Sequence, residues 1–99
     1  MRVIVDENAG PGTDLWEVFQ NARGEEECEL VFLAKAHPGI PDIEILDKLL
    51  GPGTVLLTRD CVLHMRALQR GCRSFTLNEH GQLTRKRLPW RPIPWSTFS

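Results

Sequence analysis

The stretch VLLTRDC, Val55 to Cys61, decides the fold class, because it takes an apolar run directly into an arginine and an aspartate. Successive large aliphatic residues are typical of a strand that is buried on both faces of a parallel sheet. The first residues of the chain, MRVIVDEN, repeat this arrangement, since Val3 to Val5 lead straight into Asp6. Both stretches predict a buried strand with a carboxylate at its carboxyl end.

Strand and helix patterns alternate along the rest of the chain. Gly- and Pro-containing segments separate them, and Gly24, Gly51 and Gly71 mark predicted helix ends. The predicted strands are 3–5, 29–33, 54–58 and 74–77. The first predicted helix follows an N-cap at Thr13 or Asp14 and stops at Gly24, and the others are 42–50 and 61–70; a hairpin turn at 78–81 leads into 82–87. This order predicts an α/β fold, a small three-layer α/β/α sandwich with a mainly parallel central sheet, right-handed crossovers and a C-terminal hairpin.

Length and composition fit one small globular domain, which we expect to span residues 1–87. The segment RKRLPWRPIPWSTFS carries three prolines, so residues 88–99 are expected to form an extended Pro/Trp-rich tail. No apolar run reaches membrane length, and no secretory pattern opens the chain, so a cytoplasmic location without membrane contact is expected.

Charge is distributed unevenly between the two parts of the chain. Residues 1–60 contain twelve acidic against five basic residues, whereas residues 61–99 contain one acidic against seven basic residues. Such asymmetry favours an acidic site in one region and a surface for a polyanion or an acidic partner in the other.

Three aspartates are the candidate catalytic and metal-binding residues. Asp6 and Asp60 follow predicted strands, where open α/β sheets bind their ligands. Asp42 opens a predicted helix, and on a helical wheel of about 100° per residue it shares a face with Ile43, Ile45, Leu46, Leu49 and Leu50. That face predicts that Asp42 projects toward the sheet edge, whereas Glu44 is expected to face solvent.

Converging carboxylates repel one another unless a cation or shifted pKa values compensate. Their hard oxygen atoms suit Mg²⁺ or Mn²⁺, and such an ion can activate water against a phosphodiester. The alternative is that Asp42 and Asp60 are helix caps, since aspartate is a favoured N-cap. A cap explains Asp6 less readily, because the next predicted helix begins near Thr13, so the joint occurrence favours a site.

Three motifs, VIVDEN, PDIEIL and VLLTRD followed by an apolar, Arg-containing helix, resemble the PIN-domain-like nucleases. The similarity is to the short PIN-like variant related to VapC-type toxins, and it covers roughly residues 1–77. It implies a metal-dependent ribonuclease in which Asp6, Asp42 and Asp60 hold the metal. It further implies that Thr58 supports the site and that Asn8 orients Asp6.

The chain departs from this pattern after the TRD aspartate. Relatives often carry an acidic residue two positions later, followed by an aromatic, where this chain has Val62 and Leu63. The departure keeps open a catalytically inactive PIN-like module that acts through protein or RNA binding.

Each basic residue or cluster has two possible roles. Arg59 could contact a phosphate or pair with a neighbouring carboxylate. Arg66, Arg70 and Arg73 could follow an RNA backbone or form a solvated helix face. The cluster of cations and aromatics near the C-terminus could bind single-stranded RNA or form an oligomer or antitoxin interface, and we favour the interface; its members are Arg85, Lys86, Arg87, Trp90, Arg91 and Trp95.

Together with the resemblance, these features predict a small metal-dependent endoribonuclease that hydrolyses RNA, and the resemblance implies that it is the toxin of a toxin–antitoxin pair. The C-x-x-H spacing of Cys61 and His64 could be half of a zinc site, but the sequence offers no second half.

Overall fold

The strands and helices of the computed structural model alternate in the order that the sequence predicts, and the structure describes residues 1–85. The strands are β1 (Arg2–Val5), β2 (Glu29–Phe32), β3 (Thr54–Leu57), β4 (Arg73–Leu77) and β5 (Leu83–Thr84). The main helices are α1 (Asp14–Arg23), α2 (Leu33–Ala36), α3 (Asp42–Glu44) and α4 (Cys61–Gln69). A short 3₁₀ helix covers Glu7–Ala9, and a π-helical turn, Ile45–Leu49, continues α3.

The sheet has the strand order β2-β1-β3-β4-β5 and is mainly parallel, as predicted. β1 pairs in parallel with β2 and β3, so that Val5 lies opposite both Phe32 and Leu57. β3 pairs in parallel with β4, and only the β4–β5 pair among the described strands is antiparallel. The carboxyl ends of β1, β2 and β3 therefore meet at one edge of the sheet.

Helices pack on both faces of the sheet, because each central strand is apolar on both sides. Val3, Val5, Val55 and Leu57 contact one apolar layer, to which α1 contributes Leu15, Trp16 and Phe19. Ile4 and Leu56 point the other way, into a layer supplied by α2, α4 and the π-helical turn. Full burial of one such aliphatic side chain stabilises the fold by about 1.5–3 kcal/mol, so the continuous apolar runs of β1 and β3 fix this two-sided arrangement.

The segment predicted as a strand over 29–33 ends one residue earlier, and α2 follows it at once. Leu33 is fully buried and begins the helix instead of ending the strand, because its side chain belongs to the layer of Ile4 and Leu56. The sequence Leu-Ala-Lys-Ala also consists of strong helix formers. The sequence prediction ends the strand at Leu33 and contains no helix before 42–50, so it missed α2.

The helix predicted over 42–50 is regular only at its start. Leu50 N–H bonds to the carbonyl of Ile45 at 3.1 Å, which is the wider i to i+5 spacing of a π-helical turn. Ile43 is 52% exposed, so the wheel that placed it on the apolar face was wrong there, and Glu44 is half-buried instead of fully solvent-facing. A wheel with uniform spacing cannot describe a helix whose turns change width.

The predicted hairpin follows β4. Oδ1 of Asn78 accepts hydrogen bonds from the backbone N–H groups of His80 and Gln82, both at 2.9 Å, and Gly81 takes the positive φ of 72° that closes the turn. β5 is only two residues long. Residues 86–87 of the predicted strand and the predicted tail over 88–99 lie outside the described residues.

Candidate active site at the carboxyl ends of the strands

The strand order reverses between β1 and β3. From β1 the chain moves outward to β2, and it then returns past β1 to form β3 on the other side. In open α/β sheets the crevice at such a reversal, outside the carboxyl ends of the strands, is the usual ligand site. Asp6 follows β1 and Asp60 lies three residues beyond β3, so both acidic residues lie at this crevice.

Asp6 is held by two hydrogen bonds that use both of its carboxylate oxygens. Oδ2 accepts a bond of 2.6 Å from the hydroxyl of Thr58, and Oδ1 accepts one of 2.8 Å from the backbone N–H of Glu7. The second bond makes Asp6 the N-cap of the short 3₁₀ helix Glu7–Ala9. Sequence reasoning found no helix for Asp6 to cap, since a single 3₁₀ turn leaves no periodic pattern.

Thr58 links the two aspartates that follow strands. Its side chain is fully buried, and its hydroxyl donates to Asp6 while accepting a bond of 3.0 Å from the backbone N–H of Asp60. One buried hydroxyl thus fixes Asp6 relative to the start of α4.

Asn8 has a different partner from the expected one. Its Oδ1 accepts a hydrogen bond of 2.9 Å from the backbone N–H of Arg59, which ties the loop after β1 to the loop after β3. Asn8 therefore holds the neighbouring loop, and the hydroxyl of Thr58 positions Asp6.

Asp60 is the N-cap of α4, as the cap interpretation predicted. Its Oδ1 accepts hydrogen bonds from the N–H groups of Val62 at 2.9 Å and Leu63 at 3.2 Å. Among the residues that the structure describes, no side chain or backbone N–H is bonded to Oδ2, so this oxygen can bind a further partner.

Asp42 is not a cap. The N-cap of α3 is Pro41, and Asp42 is the first residue of the helix, where it is half-buried. Partial burial raises the pKa of its carboxyl above the ordinary value of 3.8, the negative charges of Asp60 and Asp6 raise the pKa further, and Arg66 opposes them. Asp42 therefore lies within electrostatic reach of both other aspartates.

The three carboxylates share an edge without forming a closed ligand shell. Within residues 1–85, no three His, Cys, Asp or Glu side chains form a group that could hold a metal ion in their present positions. The donor chemistry nevertheless fits Mg²⁺ or Mn²⁺, which prefer carboxylate oxygens completed by water, and among the three aspartates the oxygens with no hydrogen bond in the described chain are those of Asp42 and Oδ2 of Asp60.

The predicted arginines that the structure describes lie at three places in the fold. Arg59 and Arg66 are exposed and lie near the carboxylates, and neither makes an ion pair within residues 1–85. Arg70 is at the other end of α4, where it pairs with Asp47. Arg85 places its guanidinium 6.0 Å from the ring centre of Phe75. Lys86, Arg87, Trp90, Arg91 and Trp95 lie outside the described residues.

His64 has a structural position. It is fully buried, and its Nδ1 is 2.6 Å from the hydroxyl of Ser74 on β4. The contact joins α4 to the sheet. Sequence reasoning considered His64 only as part of a C-x-x-H spacing, and its place on the apolar face of α4, three residues before Ala67, was the signal for burial.

Phe32, Ala34 and Lys35 were missed as candidate site residues. They end β2 and begin α2, and together with Asp6, Glu7 and Pro11 they line a cleft of about 280 Å³. The rule that ligands bind at the carboxyl ends of parallel strands applies to β2 as well as to β1 and β3, and applying it to all three would have found them.

In the part of the chain that the structure describes, no helix is both long and apolar enough to cross a membrane. No family model matches the chain, and no curated protein or solved structure is significantly similar to it.

Proposed function

We propose that the protein is a metal-dependent endoribonuclease of the PIN-like type that hydrolyses phosphodiester bonds of RNA, with Asp6, Asp42 and Asp60 as its metal-binding residues. The order of the motifs VIVDEN, PDIEIL and VLLTRD supports this family, and a role as the toxin of a toxin–antitoxin pair follows from the same resemblance. Under this proposal the partners are RNA and an antitoxin protein, and the protein acts in the cytoplasm.

One observation carries the proposal: three carboxylates from separate chain segments gather at the reversal of strand order. Burial and like charge both work against this arrangement in the absence of a cation. Two of the aspartates also serve as caps, but capping needs one oxygen of one residue and does not require the others nearby. Asp42 caps no helix among the described residues, so its place beside Asp6 and Asp60 has no structural role of that kind.

The residues of the chain have distinct tasks under this proposal. A bound Mg²⁺ or Mn²⁺ would polarise the phosphodiester and supply activated water. The Thr58 hydroxyl holds Asp6 in one orientation, and the amides at the start of α4 hold Asp60. Arg59 and Arg66 provide guanidinium groups that can bind the phosphates on either side of the cleaved bond.

A second candidate function is a non-catalytic PIN-like module that binds RNA or protein. The observation that favours it is the set of hydrogen bonds already made by Asp6 and Asp60, together with Val62 at the position where relatives often carry a further acidic residue. Such a module would form a stable complex without metal-dependent turnover.

The deciding experiment measures Mn²⁺ binding by calorimetry and cleavage of a mixed single-stranded RNA on the same full-length samples. Asp60→Asn keeps an amide oxygen for the cap while it removes the charge, so loss of function cannot be attributed to unfolding. We expect this variant to lose at least about 100-fold in cleavage, because loss of a residue that only supports a metal ligand already costs about 10–100-fold.

Glu29→Asn is the matched control, since it removes one carboxylate from the opposite edge of the sheet. It should leave both Mn²⁺ binding and cleavage unchanged. Mn²⁺ binding and cleavage that are equal in Asp60→Asn and the wild type would refute the proposed metal site. RNA binding without metal-dependent turnover would establish the second candidate instead.

A further inference from the structure

A small cleft opens beside Asp6 on the side that faces β2. Asp6 and Glu7 form one wall, and Phe32, Ala34 and Lys35 form another. Its volume of about 280 Å³ is just below the range of about 300–1,000 Å³ that is typical of small-molecule sites. The cleft therefore suits one planar group better than an extended chain.

Phe32 gives this cleft a fixed aromatic wall. The residue is half-buried, and its ring packs against Trp16 with the ring centres 5.4 Å apart and a tilt of 54° between the rings. Trp16 is itself buried in the layer beneath. The accessible part of the Phe32 ring is thus held in position before any ligand arrives. Stacking on aromatic side chains is the general way in which proteins hold unpaired bases.

Lys35 supplies a positive charge at the same cleft. Its side chain is exposed and makes no ion pair within residues 1–85. An ammonium group at the end of a flexible stem can follow a phosphate as a point charge. An aromatic wall next to an unpaired cation fits a base with its phosphate.

Asp6 belongs both to this cleft and to the group of three aspartates. A base in the cleft would therefore place the sugar-phosphate chain next to the proposed metal-binding residues. The cleft and the group of three aspartates share Asp6, which directly follows Val5, and Val5 lies opposite Phe32 on the neighbouring strand.

We propose that this cleft is the subsite for one nucleobase of a single-stranded RNA, with Phe32 stacking on the base and Lys35 binding its phosphate. The inference rests on the proposed nuclease function and adds to it the residues that position the strand. It predicts that recognition begins with an unpaired nucleotide, since a base within a duplex cannot enter the cleft.

The test uses 5′-AMP and adenosine as probes, titrated into the full-length, ¹⁵N-labelled protein without added metal. The amide signals of residues 32–35 should shift on binding. Ala34→Leu fills the cleft from an exposed position and should weaken 5′-AMP binding at least about tenfold. Ala36→Leu adds the same side chain to the same helix outside the cleft and should leave binding unchanged.

Lys35→Gln separates the two parts of the subsite. It should weaken the binding of 5′-AMP and leave the binding of adenosine unchanged, because only 5′-AMP carries the phosphate. Equal binding by Ala34→Leu and Ala36→Leu, or shifts confined to signals elsewhere in the protein, would overturn the subsite.

A parallel cleavage assay distinguishes this inference from the proposed function. RNA cleavage with a KM that is the same in Ala34→Leu and Ala36→Leu would support the nuclease and refute the subsite. Binding of 5′-AMP in the cleft without any RNA cleavage would support the subsite and refute the nuclease. Absence of both binding and cleavage in the wild type would refute both.

Discussion

The two edges of the sheet differ in the charges of their neighbouring side chains. Two exposed ion pairs lie at the edge where the strands begin: Arg2 and Glu29 are 3.2 Å apart, and Arg70 pairs with Asp47. At the edge where the strands end, Asp6, Asp42 and Asp60 have the same sign and share a neighbourhood. An ion pair neutralises its own charge, whereas a group of like charges needs a counter-ion from outside the chain.

This difference shows which charged residues are structural. An exposed ion pair contributes little to the free energy of unfolding, and either partner can be lost at small cost. At the other edge, the carboxylates of Asp6 and Asp60 are held by a buried hydroxyl and by backbone amides, which fixes their positions despite the repulsion within the group.

The largest effect is expected for Thr58→Val. The substitution keeps the shape of the buried side chain but leaves the Asp60 N–H without its acceptor and removes a donor from Asp6. An unsatisfied buried polar group costs about 1–3 kcal/mol, and urea unfolding should show a loss of that size.

The control is Thr54→Val, which makes the same change at the other end of β3. Thr54 is buried, and its hydroxyl has no side-chain hydrogen bond among the described residues, so the free energy of unfolding should change little. Equal losses in the two variants would contradict the idea that the carboxyl edge is specially held. If the nuclease proposal is correct, Thr58→Val also weakens Mn²⁺ binding by about 10–100-fold.

The sequence predicted much of this contrast. The apolar runs of β1 and β3 can only be buried on two faces, so the parallel sheet and the edge shared by Asp6 and Asp60 follow from composition and order alone. Asp42 was placed there by its helical face. Single helical turns could not be predicted from the sequence. The 3₁₀ helix after Asp6 and the π-helical turn at 45–49 are too short for a periodic signal.

Hydrogen-bond partners were also beyond sequence reasoning. The link from Thr58 to Asp6 joins residues 52 positions apart, and it depends on the side-chain geometry at two neighbouring strand ends. Asn8 bonds to Arg59 for the same kind of reason. Residue types that favour a site can be recognised from sequence, but the choice among several nearby donors requires the fold.

The next effect concerns Asp60, whose cap and charge can be removed separately. Asp60→Ala removes the acceptor for the N–H groups of Val62 and Leu63 and should cost about 1 kcal/mol of the free energy of unfolding. Asp60→Asn keeps an oxygen acceptor and should differ from wild type by a few tenths of that amount. Comparable thermal unfolding of the two variants would mean that the cap contributes nothing.

Asp42→Asn should raise the free energy of unfolding at neutral pH, whereas Thr58→Val and Asp60→Ala should lower it. Burial and the charges of Asp60 and Asp6 raise the pKa of Asp42 in the folded state above its ordinary value of 3.8. The folded protein therefore holds this proton more tightly than the unfolded chain does. Wild-type stability is then lost as pH rises from that value through the raised pKa.

Thermal unfolding of wild type and Asp42→Asn across this pH range checks the sign. The advantage of the variant should vanish at pH values below 3.8, where the wild-type carboxyl is protonated in both states. Added Mn²⁺ should also reduce the advantage, since bound metal would compensate the same repulsion. A variant that is less stable than wild type at neutral pH would show that the carboxylate of Asp42 is satisfied by the chain alone.

The smallest effect is expected at the amino edge, for Glu29→Gln. The variant removes the charge that faces Arg2, and because both side chains are well exposed the cost should be about 0.2–1 kcal/mol of the free energy of unfolding.

The salt dependence of stability distinguishes the two edges of the sheet. In about 1 M NaCl the Debye length falls to about 3 Å, so the small advantage of wild type over Glu29→Gln should shrink. The same salt should shrink the advantage of Asp42→Asn over wild type, which has the opposite sign. Screening weakens the repulsion between like charges and the attraction between opposite charges. If salt reduces both the stabilisation by Asp42→Asn and the destabilisation by Glu29→Gln, the carboxyl edge is the one where a cation would relieve repulsion.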